Sequence, residues 1–230
     1  AQNVDAELYA WSNLFGQNML NDLTSKGLRG VSQQNLFDNY WPGSTETCLW
    51  KNVISMLTEA ASVKIATPVY IEPTELTGTS KGLAEYKKGV NMLMPWPGGW
   101  WKLSDIIDLE VGSTLSMLET ASKYKDRILR FRNDICKKQV TLGKTIAPYH
   151  YILPANQQDP SELVSLVNLL KEHGVNVYRL KQNITIQNQN FLPGDIVVPL
   201  AQPFRMFIKE VMEPQEFPER RLEEGGKVLE

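Results

Sequence analysis

Val53-Ile54-Ser55-Met56-Leu57-Thr58-Glu59-Ala60-Ala61-Ser62 is the stretch that decides how this chain is read. Val53, Ile54, Met56 and Leu57 form a short apolar run bounded by polar loop residues. It falls far below the roughly 18 apolar residues of a membrane span. The pattern predicts a buried strand whose alternation puts Ser55, Leu57 and Glu59 on one face. A carboxylate there is costly to bury unless it is paired or put to use. The alternative is a strand that has reached solvent at its last residue.

Around that stretch, the 230 residues suffice for one large domain or two small ones. Hydrophobic residues make up 42% and charged residues 22%, an ordinary globular balance. A formal net charge of −2 leaves no electrostatic footprint for nucleic acid or an anionic membrane. No stretch is long and apolar enough for a spanning helix. Cys48 and Cys136 lie far apart and form no CxxC pair, which speaks against a sulfur-ligated metal; a disulfide between them stays open. The opening Ala1-Gln2-Asn3 and the closing Leu229-Glu230 suggest a piece of a longer polypeptide.

Upstream, Val4, Leu8, Trp11, Phe15, Met19 and Leu23 recur at helical steps, which predicts an amphipathic helix over 4–26 stopped by Gly27. Val31 to Phe37 reads as a strand. Downstream, Lys64 to Trp101 is expected to be mostly irregular, punctuated by Pro73, Gly78, Gly82 and Gly89 and ending in Met94-Pro95-Trp96-Pro97-Gly98-Gly99-Trp100-Trp101. The three tryptophans either bury that loop against the body or form a surface on which a ligand stacks. One long helix is expected from Asp105 to about Leu142, with the Lys- and Arg-rich stretch 123–138 as its solvated face.

Composition changes at Gly143 to Pro148, and the expected domain boundary lies there, giving 1-143 and 144-230. The second part reads as a small α/β module. Tyr149 to Leu153 is a strand, Asp159-Pro160 opens a helix that Gly174 stops, and Val175 to Leu180 is a second strand, parallel to the first if adjacent to it. Ile184 to Val198 suggests a hairpin, Phe204 to Met212 a helix, and the residues from Glu213 a loosely held tail.

Classical chemical motifs are few. There is no GxGxxG, no GxxxxGK[ST], no HExxH and no GxSxG. The lack of a phosphate loop leaves a nucleotide-binding α/β domain the weakest reading. His150 falls in a strand, and His173 falls in the last turn of a helix, where the dipole favours a cation. No three-ligand zinc site can be assembled from these residues.

A series in fixed order carries a resemblance: Asn39-Tyr40-Trp41-Pro42-Gly43, Leu57-Thr58-Glu59-Ala60-Ala61-Ser62, Ala66-Thr67-Pro68-Val69-Tyr70, Pro95-Trp96-Pro97-Gly98-Gly99-Trp100-Trp101, Tyr151-Ile152-Leu153-Pro154-Ala155, Pro193-Gly194-Asp195-Ile196-Val197-Val198-Pro199 and Ala201-Gln202-Pro203-Phe204. It resembles large bacterial zinc carboxypeptidase-like proteins of the carboxypeptidase A superfamily, over nearly the whole chain. The resemblance implies an α/β fold class: the distal half of a mixed-sheet carboxypeptidase-like domain followed by a small α/β accessory module. It implies that Glu59 is the catalytic general base, that Tyr40 is the tyrosine of a loop closing over substrate, and that the cofactor is zinc in the full-length protein. The zinc ligands and the arginines for the substrate carboxylate would precede Ala1, so this chain alone is expected to bind no catalytic zinc and to cleave nothing. The partners implied are a peptide substrate and the missing N-terminal part of the same polypeptide, with no nucleic acid and no membrane. A homo-oligomer through an exposed sheet edge is also expected. Periplasmic or extracellular localisation follows by the same resemblance. The alternative is a non-catalytic peptide- or glycan-binding or scaffold protein that keeps the carboxypeptidase-like shape.

Overall fold

The computed structural model describes residues 3–33, 44–77 and 86–214. It is a mixed α/β structure of helices and small antiparallel sheets. The chain divides into two compact units. One comprises Asp5–Leu49 and Val53–Phe131; the other comprises Ala1–Val4, Trp50–Asn52 and Arg132–Glu230. Along the main body of the chain the two units meet between Phe131 and Arg132. Gly143, where the composition changes, lies buried inside a helix.

In the first unit, α1 (Ala6–Ser25) begins where the Asp5 carboxylate accepts the Glu7 amide at 3.2 Å. Leu8, Phe15, Met19, Leu20 and Leu23 are its buried residues. Gly27, at φ +80, ends it, as the glycine stop requires, and the Leu28 amide turns back onto the Leu23 carbonyl at 3.0 Å. The helix α2 (Ser44–Trp50) follows. Two three-residue strands, β1 (Val69–Ile71) and β2 (Gly99–Trp101), pair antiparallel with Tyr70 opposite Trp100.

The expected long helix is two helices, α3 (Leu103–Lys123) and α4 (Lys125–Thr145), broken at Tyr124. The break seats Tyr124 edge-on to Trp11 at 6.2 Å, with the Arg127 guanidinium 5.5 Å from the Trp11 ring and 5.6 Å from that of Tyr124. That arginine is exposed, like most of the cationic stretch, and lies over the two rings while remaining in solvent. Gly112, Ser116 and Thr120 are the buried residues of α3. They form a shallow face against α1: Asn18 Nδ2 donates to Thr120 Oγ1 at 3.1 Å, and the Ser116 hydroxyl donates to Asp22 Oδ2 at 2.5 Å. Leu23 fills the space over Gly112, where a Cβ would stand 3.0 Å from the leucine tip.

The stretch Val53 to Ser62 is not a strand; it has no regular secondary structure. A strand needs neighbours for its backbone amides and carbonyls. Val53 is bonded backbone to backbone to the Cys48 carbonyl at 3.0 Å, and no ladder continues from it among the described residues. Val31 to Gln33 is likewise irregular, and the rest of that expected strand lies outside the described residues.

The second unit contains β3 (His150–Leu153), α5 (Pro160–Glu172), β4 (Tyr178–Arg179), β5 (Ile184–Ile186), β6 (Gln189–Phe191), β7 (Ile196–Pro199) and α6 (Arg205–Met212). Asp159 caps α5 by accepting the Ser161 amide at 2.9 Å. β3 and β4 are not neighbours, because β7 lies between them and pairs antiparallel with each. The hairpin is β5–β6 alone, turned by Gln187 and Asn188, both at positive φ, as a two-residue turn of this hand requires. Ile196, Val198 and Leu200 go into the core with Leu170, Val175, Phe207 and Ile208. Each such side chain contributes roughly 1.5–3 kcal/mol of burial. The Gln202 amide acts as a surrogate strand edge: it accepts the Asn176 amide at 2.8 Å and donates to the carbonyls of Asn176 at 3.1 Å and Pro199 at 2.6 Å. No helix among the described residues is long and apolar enough to cross a membrane.

The two helix glycines should respond differently to a methyl group. At Gly143 a Cβ would run into the Leu200 carbonyl and the Ala201 amide, backbone that cannot move aside. Gly143→Ala is expected to destabilise by about 1–3 kcal/mol in urea unfolding, through overpacking. At Gly112 the obstacle is a leucine tip, and alanine gains up to about 1 kcal/mol of helix propensity. Gly112→Ala is expected to stay near wild type in the same measurement.

Candidate functional site

Glu59 lies in the first unit on the irregular segment, exposed. Side chains fix that segment at three points. The Ser12 hydroxyl donates to the Ser55 carbonyl at 3.0 Å, the Thr58 hydroxyl donates to Glu110 Oε2 at 2.9 Å, and the Trp101 indole N–H donates to the Ala61 carbonyl at 2.7 Å. These tie residues 55–61 to α1, α3 and β2. Tyr40, the second expected site residue, lies outside the described residues. A group of three His, Cys, Asp or Glu side chains able to hold a metal ion is absent among the described residues.

The rings of the tryptophan-rich loop divide, two half-buried and one exposed. Trp96 and Trp101 pack edge to face at 5.6 Å, half-buried, with the Tyr86 hydroxyl donating to the Trp96 carbonyl at 2.9 Å. Burial pushes the Tyr86 phenol up, against the lowering effect of that bond. Trp100 points the other way and is 59% exposed; Tyr70, across the two-stranded sheet, is 50% exposed. Their centroids are 5.4 Å apart with planes at 74°. Gly98 permits this tight ribbon, since a Cβ at its φ of +90 would stand 2.9 Å from the Ile71 carbonyl oxygen. The sequence singled out the tryptophans but not Tyr70; its alternation with Val69 and Ile71 was the available signal.

The second unit holds an open groove of about 460 Å³ lined by Asn133, Cys136, Lys137, Val140, Thr141 and Pro203. The Arg132 guanidinium contacts the Cys136 sulfur, and Asn52 Nδ2 reaches it at 3.6 Å while donating to the Pro203 carbonyl at 2.7 Å. His150 is exposed on β3. His173 stacks on Phe207 at 4.7 Å, with Lys51 on that same ring at 5.0 Å. Burial, then the Lys51 charge, hold the His173 imidazole below its ordinary pKa, against the opposing pull of Glu172. At the far end of α6, the Glu213 carboxylate accepts both the Tyr151 hydroxyl and the Lys209 ammonium at 2.5 Å. Burial pushes Glu213 up, but the bonds from Lys209 and Tyr151 and the charges of Lys209 and Arg205 outweigh it, so the carboxyl sits below its usual range. Burial, and then the same carboxylate, raise the Tyr151 phenol. Glu213 thus clamps the end of α6 to β3.

Comparison of the chain with family models, with curated proteins and with solved structures gave no match.

The two clamps give stability a defined pH dependence. A depressed histidine pKa means that the unfolded chain binds the proton first. Stability held above the unfolded value of about 6.5 is therefore lost as pH falls below it. A depressed carboxyl pKa likewise gives stability that is present above the unfolded value of about 4.3 and lost as pH falls through the folded one. Urea unfolding at a series of pH values should show both acid steps. His173→Gln should flatten the first, and Glu213→Gln the second.

Proposed function

We propose that the chain is the distal part of a zinc-dependent metallocarboxypeptidase, with Glu59 as general base. One observation carries the reading. The Glu59 segment has no regular secondary structure, yet side chains of or bonded to three separate elements hold it in place at Ser55, Thr58 and Ala61, on either side of the glutamate. Such support fixes where a working carboxylate stands, and the resemblance makes that carboxylate the general base. In this reading Glu59 takes a proton from the water that attacks the scissile carbonyl and returns it to the leaving amine. No three described side chains group to hold zinc, so no step through the metal is assigned to this chain's residues. Peptides are the substrate class, Tyr40 closes over them, and export to the periplasm or beyond belongs to the same reading.

A second reading is a non-catalytic peptide- or glycan-binding protein of the same shape. The exposed Tyr70–Trp100 pair favours it, because two rigid aromatic faces offer contact area at little entropic cost.

The full-length gene product, wild type beside Glu59→Gln, separates the two. Zinc-dependent release of C-terminal residues should fall about 10²–10⁴-fold in the variant with zinc content unchanged. A zinc-loaded wild type that trims no member of a broad peptide panel would instead assign the chain to the binding reading. In that case Trp100→Ala should abolish ligand binding measured by calorimetry.

A further inference from the structure

The helix α3 is built inside out. Its buried face consists of Gly112, Ser116 and Thr120, whereas Leu103, Ile107, Val111, Leu115 and Leu118 stand 42–56% exposed. At 3.6 residues per turn those five side chains fall within an arc of about 120°, the width of a core-facing stripe. A surface helix ordinarily turns such a stripe inward, and contiguous apolar patches of this kind mark contact sites. α1 already holds the opposite face, through the Asn18–Thr120 and Asp22–Ser116 bonds and Leu23 over Gly112. The helix therefore cannot roll to hide the stripe without giving up that packing.

The borders of the stripe identify its occupant. Glu110 flanks the Leu103 side, with its Oε2 accepting the Thr58 hydroxyl; Asp108 and Glu119, both exposed, flank the Leu115 side. Lys102 falls on the far side of the helix, and Lys123, one turn beyond Glu119, lies farther round from the stripe than that carboxylate, so the charges next to the stripe are acidic. A second copy of α3 is a poor fit. Antiparallel pairing sets each acidic border against itself, and parallel pairing sets one acidic border against the other. An anionic membrane is repelled for the same reason. The geometry points to an amphipathic helical segment of another polypeptide, with an apolar face bordered by Lys and Arg, docking on the α3 stripe.

The test uses the 230-residue chain and two fluorescent amphipathic peptides that share one leucine face. One peptide has lysines along its borders and the other has glutamates. Anisotropy should show the lysine-bordered peptide binding at least about tenfold tighter, a difference of about 1.4 kcal/mol, and binding should weaken as salt is raised. Leu115→Glu and, separately, Val111→Glu should abolish binding with the circular dichroism spectrum unchanged; these side chains already face solvent, so the fold should tolerate the change. Asp108→Lys with Glu119→Lys should reverse the preference between the peptides. Equal binding of the two peptides, or binding indifferent to both glutamate variants, would overturn the proposal. So would a concentration-dependent dimer in sedimentation that Leu115→Glu disperses, since that assigns the stripe to a second copy.

Discussion

The constraint on which the first unit depends is the close approach of α1 and α3 through residues too small to keep the helices apart. Gly112, Ser116 and Thr120 give α3 a shallow side, and Leu23 lies over the glycine. Two side-chain hydrogen bonds, Ser116 to Asp22 and Asn18 to Thr120, fix the rotation of one helix on the other. Hydrophobic packing alone is tolerant of rotation, whereas a hydrogen bond is not. Once the rotation is set, the position of every other α3 residue follows, including the large apolar ones left outward and Glu110, which receives Thr58. The placement of the Glu59 segment is thus partly a consequence of how α1 and α3 meet.

The second unit solves a different problem, that of short strands with ragged ends. β4 has two residues and β3 and β7 have four each, so much of the backbone next to them has no ladder. Side chains stand in for the missing strand partners. Gln202 closes on Asn176 and Pro199, and the Asp195 carboxylate accepts the amides of Ala155 and Leu192, each at 2.8 Å. Asn52, fully buried at φ +60, donates to the Pro203 carbonyl. Each replaces a bond whose absence would cost about 1–3 kcal/mol. Asp195 and Gln202 belong to the series Pro193 to Pro199 and Ala201 to Phe204, which gives these two residues a structural purpose.

What could be read in the sequence was whatever depends on neighbours along the chain. Asp159-Pro160 with Gly174 delimits α5, because a cap and a stop act within one helical turn. The apolar rhythm of α1 needs only its own repeat. What failed depended on residues far away. The role of Gly143, making room for the backbone at Leu200, lies 57 residues downstream and leaves no local signal. The break at Tyr124 serves Trp11. Whether β3 and β4 are adjacent could not be read either, because β7, later in the chain, takes the place between them. At the candidate site, the sequence located Glu59 but not its surroundings, since Ser12, Glu110 and Trp101 come from three other elements.

The error over Val53 to Ser62 is the instructive one. Its apolar run is real, and its composition suits a strand buried on both faces. A strand, however, is a property of at least two segments, whereas a helix satisfies its own backbone. α3, with its ladder complete from Leu103 to Lys123, forms whether or not its outer stripe is covered; the 53–62 segment lacks a ladder and remains irregular even where side chains pin it. The difference is one of backbone satisfaction: a helix carries its own ladder and can leave an apolar stripe outward, whereas residues 53–62 take their place from bonds involving Ser12, Glu110 and Trp101.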